Sequence, residues 1–596
     1  MKKTLVRMLS LLLASVMVLT CLTACGGGSD EKTSAAAGSG AAGQEDATGE
    51  AGKSTVPQIT NKPVINEPVT LKIVTQRHAG STTDAKDLWF FKYMEYWLAQ
   101  QGYDVKIDVQ QSNEASQEKA LLLGTDTLPD IVWGISLGKT NAARYGMEEG
   151  MLLDWTPYLN DSLMPNLCSW LEKYPDILPN ITTPNGGVYA LPYIAPSQYA
   201  SGCYGTSERL YYRQSWLDAC GRTNPTTQQE FIDTLRAFKN MKLDGGKTPI
   251  PVVSAGSFLE KYLWTCLGFY GTEPNKYGSN LMLKDGQLVV PAYTPAYKDF
   301  ISIMNTLYTE GMLARDYFSV SDTTAGGLMR DGVCGALAWW TLEYVGEDPA
   351  AFGDIVCANP ILMGDNKEIH VSRLSYYTAD TLWVSSKTKY PELIAIMLDF
   401  IYSEEGAMIY RYGPKQGEDP LGLVDGWYYD ENGDITTKMV KDGVYASMAA
   451  YGRDRIFPFD NAGLRPAVVT SGTGKMIEFT DSVTGEKYEC IDNLKLDDNT
   501  NDGHWRLITI DKWSDYATSI RLDGVYLDSE KAAETSDIIT TIQNYITKES
   551  AKFITGQRDI STVELFWEEL ENLGIQDYLD TMNEAYADVL ANYFGG

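Results

Sequence analysis

Apolar and polar positions alternate with a period of two over residues 69–75 (VTLKIVT) and 104–109 (DVKIDV), which predicts two strands. Between them Leu88, Phe91, Met94 and Leu98 recur at helical spacing with Trp97 beside them. That spacing predicts a helix over 84–101, stopped by Gly102. Residues 116–123 predict a second helix, ended by Gly124, and Ile131-Val132-Trp133 a short buried strand. The segment 69–133 therefore reads βαβαβ, an order that implies a parallel sheet covered on both faces. Ligands of such open sheets lie beyond the carboxyl ends of the strands. That places Arg77 and His78, after the first strand, and Trp133, with Gly134 behind it, at the edge of a candidate site.

Further along, residues 188–193 (VYALPY) form a short apolar run punctuated by Gly and Pro, and 209–213 (RLYYR) a second strand. The Ser-, Gly- and Tyr-rich stretch between them reads as a crossing from one domain to another, with Tyr193 at its start. Asn224-Pro-Thr-Thr opens a helix whose apolar face is Phe231, Leu235 and Phe238. A helix over 297–310 shows Phe300, Ile303 and Leu307 on one face. The small-residue strand 331–338 emerges into Trp339 and Trp340, and 359–363 reads as a second crossing. Tyr376 and Tyr377 precede the strand 381–385, and 391–402 is a strongly apolar helix. Asn432-Gly433 marks a hairpin, 456–460 (IFPFD) is irregular, and 511–551 and 561–590 should be mostly helical.

The first 25 residues look like a processing signal. Lys2, Lys3 and Arg7 precede an apolar run from Met8 to Leu22 that is too short for a comfortable membrane span. The run ends in Leu22-Thr23-Ala24-Cys25, the pattern of a bacterial lipobox, in which Cys25 becomes the lipidated first residue. Residues 1–24 are then the signal peptide, and 25–63, rich in Gly, Ala, Ser and Thr, a flexible tether.

The composition narrows the chemistry. The chain of 596 residues carries 79 acidic against 49 basic residues, a formal charge of −30. That excess argues against nucleic acid, which needs basic patches. Of nine cysteines, Cys21 leaves with the signal and Cys25 takes the lipid, so an odd, widely spaced set remains and reads as buried thiols. No zinc spacing, nucleophile elbow, phosphate loop or metalloprotease motif occurs, and the three histidines are far apart. No cofactor and no metal is expected. Asp430–Asp434 and Asp498–Asp502 have the density of calcium loops without the glutamate and glycine positions that such loops need, and read as solvated turns. Fourteen Trp and 37 Tyr leave enough aromatics to serve both core and ligand. Trp133, Tyr193, Trp339, Trp340, Tyr376 and Tyr377 stand where a cleft would stack on sugar rings.

Together these segments resemble the extracellular solute-binding proteins of ABC importers, family 1, the carbohydrate binders similar to maltose-binding protein and their larger Gram-positive lipoprotein relatives. The carrying residues are the lipobox at 22–25, LKIVTQ, GTDTLPDIVW at 124–133, EGMLLDWTPYL at 149–159, GVYALPY at 187–193, LYYRQSWL at 210–217, GRTNPTTQQEF at 221–231, 331–340, 381–386 and 391–406. The resemblance implies a periplasmic-binding-protein-like α/β fold of type II, with a ligand cleft between two α/β lobes and a helical C-terminal extension. It implies lobe 1 at 64–192 plus about 364–414, and lobe 2 at about 205–358 plus 415–596, with crossings near 190–205 and 359–363. It implies a monomer, tethered to the cell membrane on its extracellular face through Cys25, that passes an oligosaccharide to ABC permease subunits. Arg77, His78 and Trp133 would lie on the rim of lobe 1, Trp339 and Trp340 on lobe 2, and Tyr193, Tyr376 and Tyr377 at the crossings, with Asp154 structural. A peptide or other solute binder on the same fold, and a surface-anchored glycan-degrading enzyme, stand as the alternatives.

Overall fold

The computed structural model describes residues 62–594, except 79–80, 196–208, 255, 315, 340–341, 343–344, 347, 373–376, 432, 446, 467–474, 486 and 493–500. The signal, Cys25, nearly all of the tether, Trp340 and Tyr376 lie outside the described residues.

The first sheet takes strands β1 (Val69–Gln76), β2 (Val105–Ser112), β3 (Ile131–Trp133) and β4 (Leu191–Ile194). The chain then builds β5 (Leu210–Arg213), β6 (Ile250–Ser254), the hairpin β7 (Met282–Lys284) and β8 (Gln287–Val289), β9 (Cys334–Ala338), β10 (Ile355–Cys357) and β11 (Val371–Ser372). It returns to the first sheet as β12 (Tyr377–Val384). The hairpin β13 (Tyr428–Tyr429) and β14 (Ile435–Thr436), the pair β15 (Lys475–Thr480) and β16 (Lys487–Asp492), and β17 (Ala517–Thr518) follow. The two main sheets have the orders β2-β1-β3-β12-β4 and β10-β5-β9-β6. The βαβαβ segment is parallel, as its pattern implies, while β12 enters antiparallel between β3 and β4.

Each sheet carries its own core. In lobe 1, β1 sends Val69, Leu71 and Ile73 into a core shared with Trp89, Phe90, Phe91, Met94 and Leu98 of the helix Trp89–Gln100. The other face of that sheet, with Val74, Val132 and Trp383, packs a smaller cluster with Leu122, Ile135 and Leu137. In lobe 2 the core includes Tyr211, Tyr212, Trp264, Tyr297 and Phe300 and takes in the C-terminal helices. The helix Ser529–Thr555 lies on Ala296–Thr309, where Tyr297 and Ser550 hydroxyls are 2.7 Å apart and Asn305 donates to the Phe553 carbonyl at 3.0 Å.

The lobe boundaries differ from the expected ones in two places. Residues 415–466 belong with lobe 1, not lobe 2. Tyr451, Ile456, Phe457, Ala462 and Leu464 are buried in its core, and Trp89 donates to Asp419 at 2.9 Å. The segment has little regular structure, so no periodicity announces where its apolar residues go. Residues 359–363 are not a crossing either. Ile361 and Met363 are buried in the second core, and Tyr262 holds the Asn359 carbonyl at 2.8 Å. Val371 of β11 is still buried in the second core and Tyr377 of β12 in the first, and the Arg465 amide binds the Ile194 carbonyl at 2.7 Å.

One corner of lobe 1 positions the site. The buried helix Pro391–Phe400 turns sharply into Glu404–Tyr412, which Ser403 caps by accepting from the Gly406 amide at 2.9 Å. A Cβ on Gly406 would stand 1.8 Å from the Phe400 carbonyl oxygen, so only glycine fits. Gly406→Ala is expected to cost about 1–3 kcal/mol of stability in urea unfolding, the usual penalty for forcing extra volume into a packed site. Gly124→Ala, in the helix Ala115–Thr125 with open space around it, is the control and should be neutral or slightly stabilising.

Candidate ligand-binding site

The carboxyl ends of β1 and β3 face a loop that comes from far along the chain. After β3, Gly134 turns with φ +73°, and a Cβ there would sit 2.8 Å from Cβ of Phe459. The half-buried Phe459 ring therefore lies directly on the sheet edge. His78, just past β1, stacks on it with ring centroids 4.7 Å apart and planes 13° apart. The imidazole Nε2 is 2.6 Å from the Asp460 carboxylate, and a quarter of the His78 side chain (25%) stays exposed. The same carboxylate holds Arg453 Nε at 2.8 Å and the Arg411 guanidinium. Burial by itself pushes the Asp460 carboxyl up, but the His78 hydrogen bond and the Arg411 and Arg453 charges outweigh it and hold the group far below the usual carboxylate range.

The sequence-predicted residues fall into three groups. His78 lies at the sheet edge just past β1, stacked on Phe459. Arg77 is beside it but is not a ligand arm. It is 5% exposed, and its guanidinium donates to the carbonyls of Arg453 (2.8 Å), Pro458 (3.2 Å) and Thr83 (3.0 Å), which staples two loops together. Trp133, Trp339 and Tyr193 are core residues, 1%, 1% and 3% exposed. Trp133 packs on Phe90 and Phe91, with centroids 5.7 and 5.9 Å away, and donates its indole N–H to Tyr410 at 3.0 Å. Its strand is buried on both faces, so the ring at its carboxyl end turns inward. Trp339 lies in the core of lobe 2. Tyr193, on β4 opposite Thr378, sits against Arg411 and Arg465 under the rim. Tyr377 is buried too and faces lobe 2, donating to Asp523 at 3.4 Å. Burial and the Asp523 charge raise its phenol well above the ordinary value. Trp340 and Tyr376 lie outside the described residues.

Phe459, Asp460, Arg411 and Arg453 were not among the sequence candidates. The one local signal is Phe457-Pro458-Phe459-Asp460 itself, two aromatics in an irregular, proline-held stretch, where one can be buried and the next cannot. Phe457 is fully buried and Phe459 is not. Asp154 is structural, accepting from Thr156 N at 2.9 Å and Val188 N at 3.1 Å. At the suspected calcium turn near 430, Lys441 occupies the carboxylates, 2.9 Å from Asp430 and 3.4 Å from Glu431. Among the described residues no group of three His, Cys, Asp or Glu is placed to hold a metal ion. The described cysteines Cys168, Cys220, Cys266, Cys334 and Cys357 are free thiols.

No family model matches the chain. Over 542 residues it is 22% identical to the fructooligosaccharide ABC transporter substrate-binding protein FusA of Streptococcus pneumoniae, covering 89% of this chain and 92% of FusA. Over 189 residues it is 29% identical to lipoprotein LipO of Bacillus subtilis, 30% of this chain and 32% of LipO. The structure of FusA in complex with kestose superposes with a TM-score of 0.67 at 19% identity, over 88% of this chain and all (100%) of that one. An HMO-binding, ABC-transporter-associated solute-binding protein from Bifidobacterium longum infantis gives the same TM-score of 0.67 at 17% identity, over 88% and 99% of the two chains. The fold is that of the periplasmic-binding-protein-like solute-binding proteins.

The Asp460 cluster makes a pH-dependent contribution to stability. A carboxyl whose folded pKa lies below its unfolded value stabilises fully above the unfolded value, near 4, and less as pH falls below it. The parent is therefore expected to lose more stability than Asp460→Asn between about pH 5 and pH 2 in thermal melts. Parallel curves for the two proteins would show that the ion cluster carries no stability.

Proposed function

We propose that this chain is the substrate-binding subunit of an ABC importer, that it captures an oligosaccharide between its two lobes, and that a lipid on Cys25 holds it at the outer face of the membrane. The observation that carries the reading is the His78–Phe459 pair at the carboxyl ends of β1 and β3, partly exposed and framed by Asp460 and Arg453, on a fold shared with a fructooligosaccharide binder. An aromatic face takes the C–H face of a sugar ring, while ionised groups beside it hydrogen-bond the hydroxyls. Rotation of one lobe toward the other then removes the sugar from water.

The chain acts as a carrier in this reading. FusA is a transport protein, and nothing in the cluster around Asp460 is arranged as a nucleophile with its base. The lipobox at 22–25 and the similarity to LipO support the anchor. Among the described residues no helix is long and apolar enough to cross a membrane. Cys25→Ser is expected to move the protein from the membrane fraction to the medium, and a variant still retained at the membrane would remove the lipid from the account.

Binding is tested by titrating the protein with kestose and longer fructo-oligosaccharides, a panel of other neutral and acidic glycans, and short peptides, following the melting temperature. A ligand at 100 times its Kd adds about 2.7 kcal/mol of stability. A glycan is expected to produce the shift, and stabilisation by peptides alone would overturn the sugar reading. Phe459→Ala is expected to weaken that binding by about tenfold, roughly 1.4 kcal/mol, with the fold kept. Trp133→Ala is expected to act on stability instead, costing about 3–5 kcal/mol in denaturant unfolding as a core deletion does.

A further inference from the structure

Residues 519–528 link β17 to the helix Ser529–Thr555 without regular structure, and they touch both lobes. The beginning of this strap is fixed to lobe 2. Ile520 is fully buried there, its carbonyl accepts from the Ser372 hydroxyl at 2.9 Å, and the Leu522 amide donates to the Gly271 carbonyl at 2.7 Å. Its end is fixed to lobe 2 as well. Val525 and Leu527 pack against that core, and Asp528 caps the following helix by accepting from the Lys531 amide at 2.8 Å.

Tyr526 faces the other way. It packs against the lobe 1 cluster of Val74, Val132, Ile135 and Leu137, and the Lys139 ammonium lies 4.9 Å from its ring centroid. Val525 and Leu527 thus grip one lobe while Tyr526 between them grips the other. Asp523 adds a second tie, accepting from Tyr377 of β12 at 3.4 Å while its carbonyl accepts from Tyr586 at 2.9 Å.

The lobe 1 half of this contact is held firmly. The turn before Lys139 is bound by Asp380, whose carboxylate accepts from Ser136 Oγ at 2.7 Å and the Gly138 amide at 2.9 Å. Lys119 reaches the Ser136 carbonyl at 2.7 Å from the other side. A rotation of the lobes therefore cannot be absorbed at Lys139. It has to slide or unseat the Tyr526 ring.

We infer that the strap at 519–528 is a non-covalent brace between the lobes, with Tyr526 seated under Lys139 as the positioning residue that sets their angle. Taken with the carrier function proposed above, on which this consequence rests, the brace regulates the affinity of the cleft. A ligand shifts the lobe equilibrium only by its difference in affinity for the two arrangements, and the brace stabilises one of them before any ligand arrives.

The test needs no ligand. Dyes are placed through unnatural amino acids at Lys106 of lobe 1 and Lys239 of lobe 2, both exposed, and inter-lobe distances are read by single-molecule energy transfer in the full ligand-free chain. Tyr526→Ala is expected to shift or broaden the distance distribution, and Tyr526→Phe, which keeps the ring under the ammonium, to leave it as in the parent. A parental distribution in Tyr526→Ala overturns the brace. Should Tyr526→Ala lose its cooperative melt, Lys139→Gln decides in the same way, since it keeps the ring and removes the cation. Failure of kestose and every other glycan to bind would refute the carrier reading and leave this distance measurement standing.

Discussion

One buried carboxylate holds the wall of the site together. Asp460 binds His78 from the end of β1, Arg411 from the helix Glu404–Tyr412 and Arg453 from the helix Met448–Arg455. Three segments with no sequence proximity meet on two oxygens. Removing one partner of this largely buried cluster leaves the others poorly compensated, so the cluster favours a single arrangement. Phe459 is the residue before Asp460 and is carried by it. Arg77 closes the same region from behind, reaching the Phe457 carbonyl across a separation of 380 residues. The Tyr410 hydroxyl donates to the Phe459 carbonyl at 2.6 Å and fixes the same loop from a third side.

Lobe 1 and lobe 2 each have a large aromatic core and their own sheet, so each can turn as a rigid body. The strap at 519–528 packs on the core of lobe 2 and sends Tyr526 onto the smaller cluster of lobe 1. It is polar at Asp523 and amphipathic at Tyr526. Two separate cores, a framed aromatic platform and a strap touching both lobes are the features that the proposed carrier role would use.

Much of the fold was legible along the chain. The period-two strands β1 and β2, the helix between them stopped at Gly102, and the buried β3 were readable because local period and terminators agree. The apolar helix at 391–402 and the pairing of β13 with β14, on either side of Gly433, were readable for the same reason, while Asn432 lies outside the described residues. Residues 415–466 were assigned to the wrong lobe because irregular chain has no period, and burial there is decided by distant partners. Trp133 was misread for a related reason. Position at a strand's carboxyl end is a local property, but the pocket of Phe90, Phe91 and Tyr410 that receives the indole comes from remote segments. The place of His78 at the sheet edge was readable because it follows β1 directly. The place of Phe459 was not, because only the folded chain brings it there.

The most direct test of the account is a crystal structure of the chain grown with kestose, or with whichever glycan stabilises it most. A sugar ring against the exposed edge of the His78–Phe459 pair, with a hydroxyl in hydrogen-bond reach of Asp460 or Arg453, is the expected result. A glycan bound between the lobes with no contact to Phe459 or His78 would contradict it.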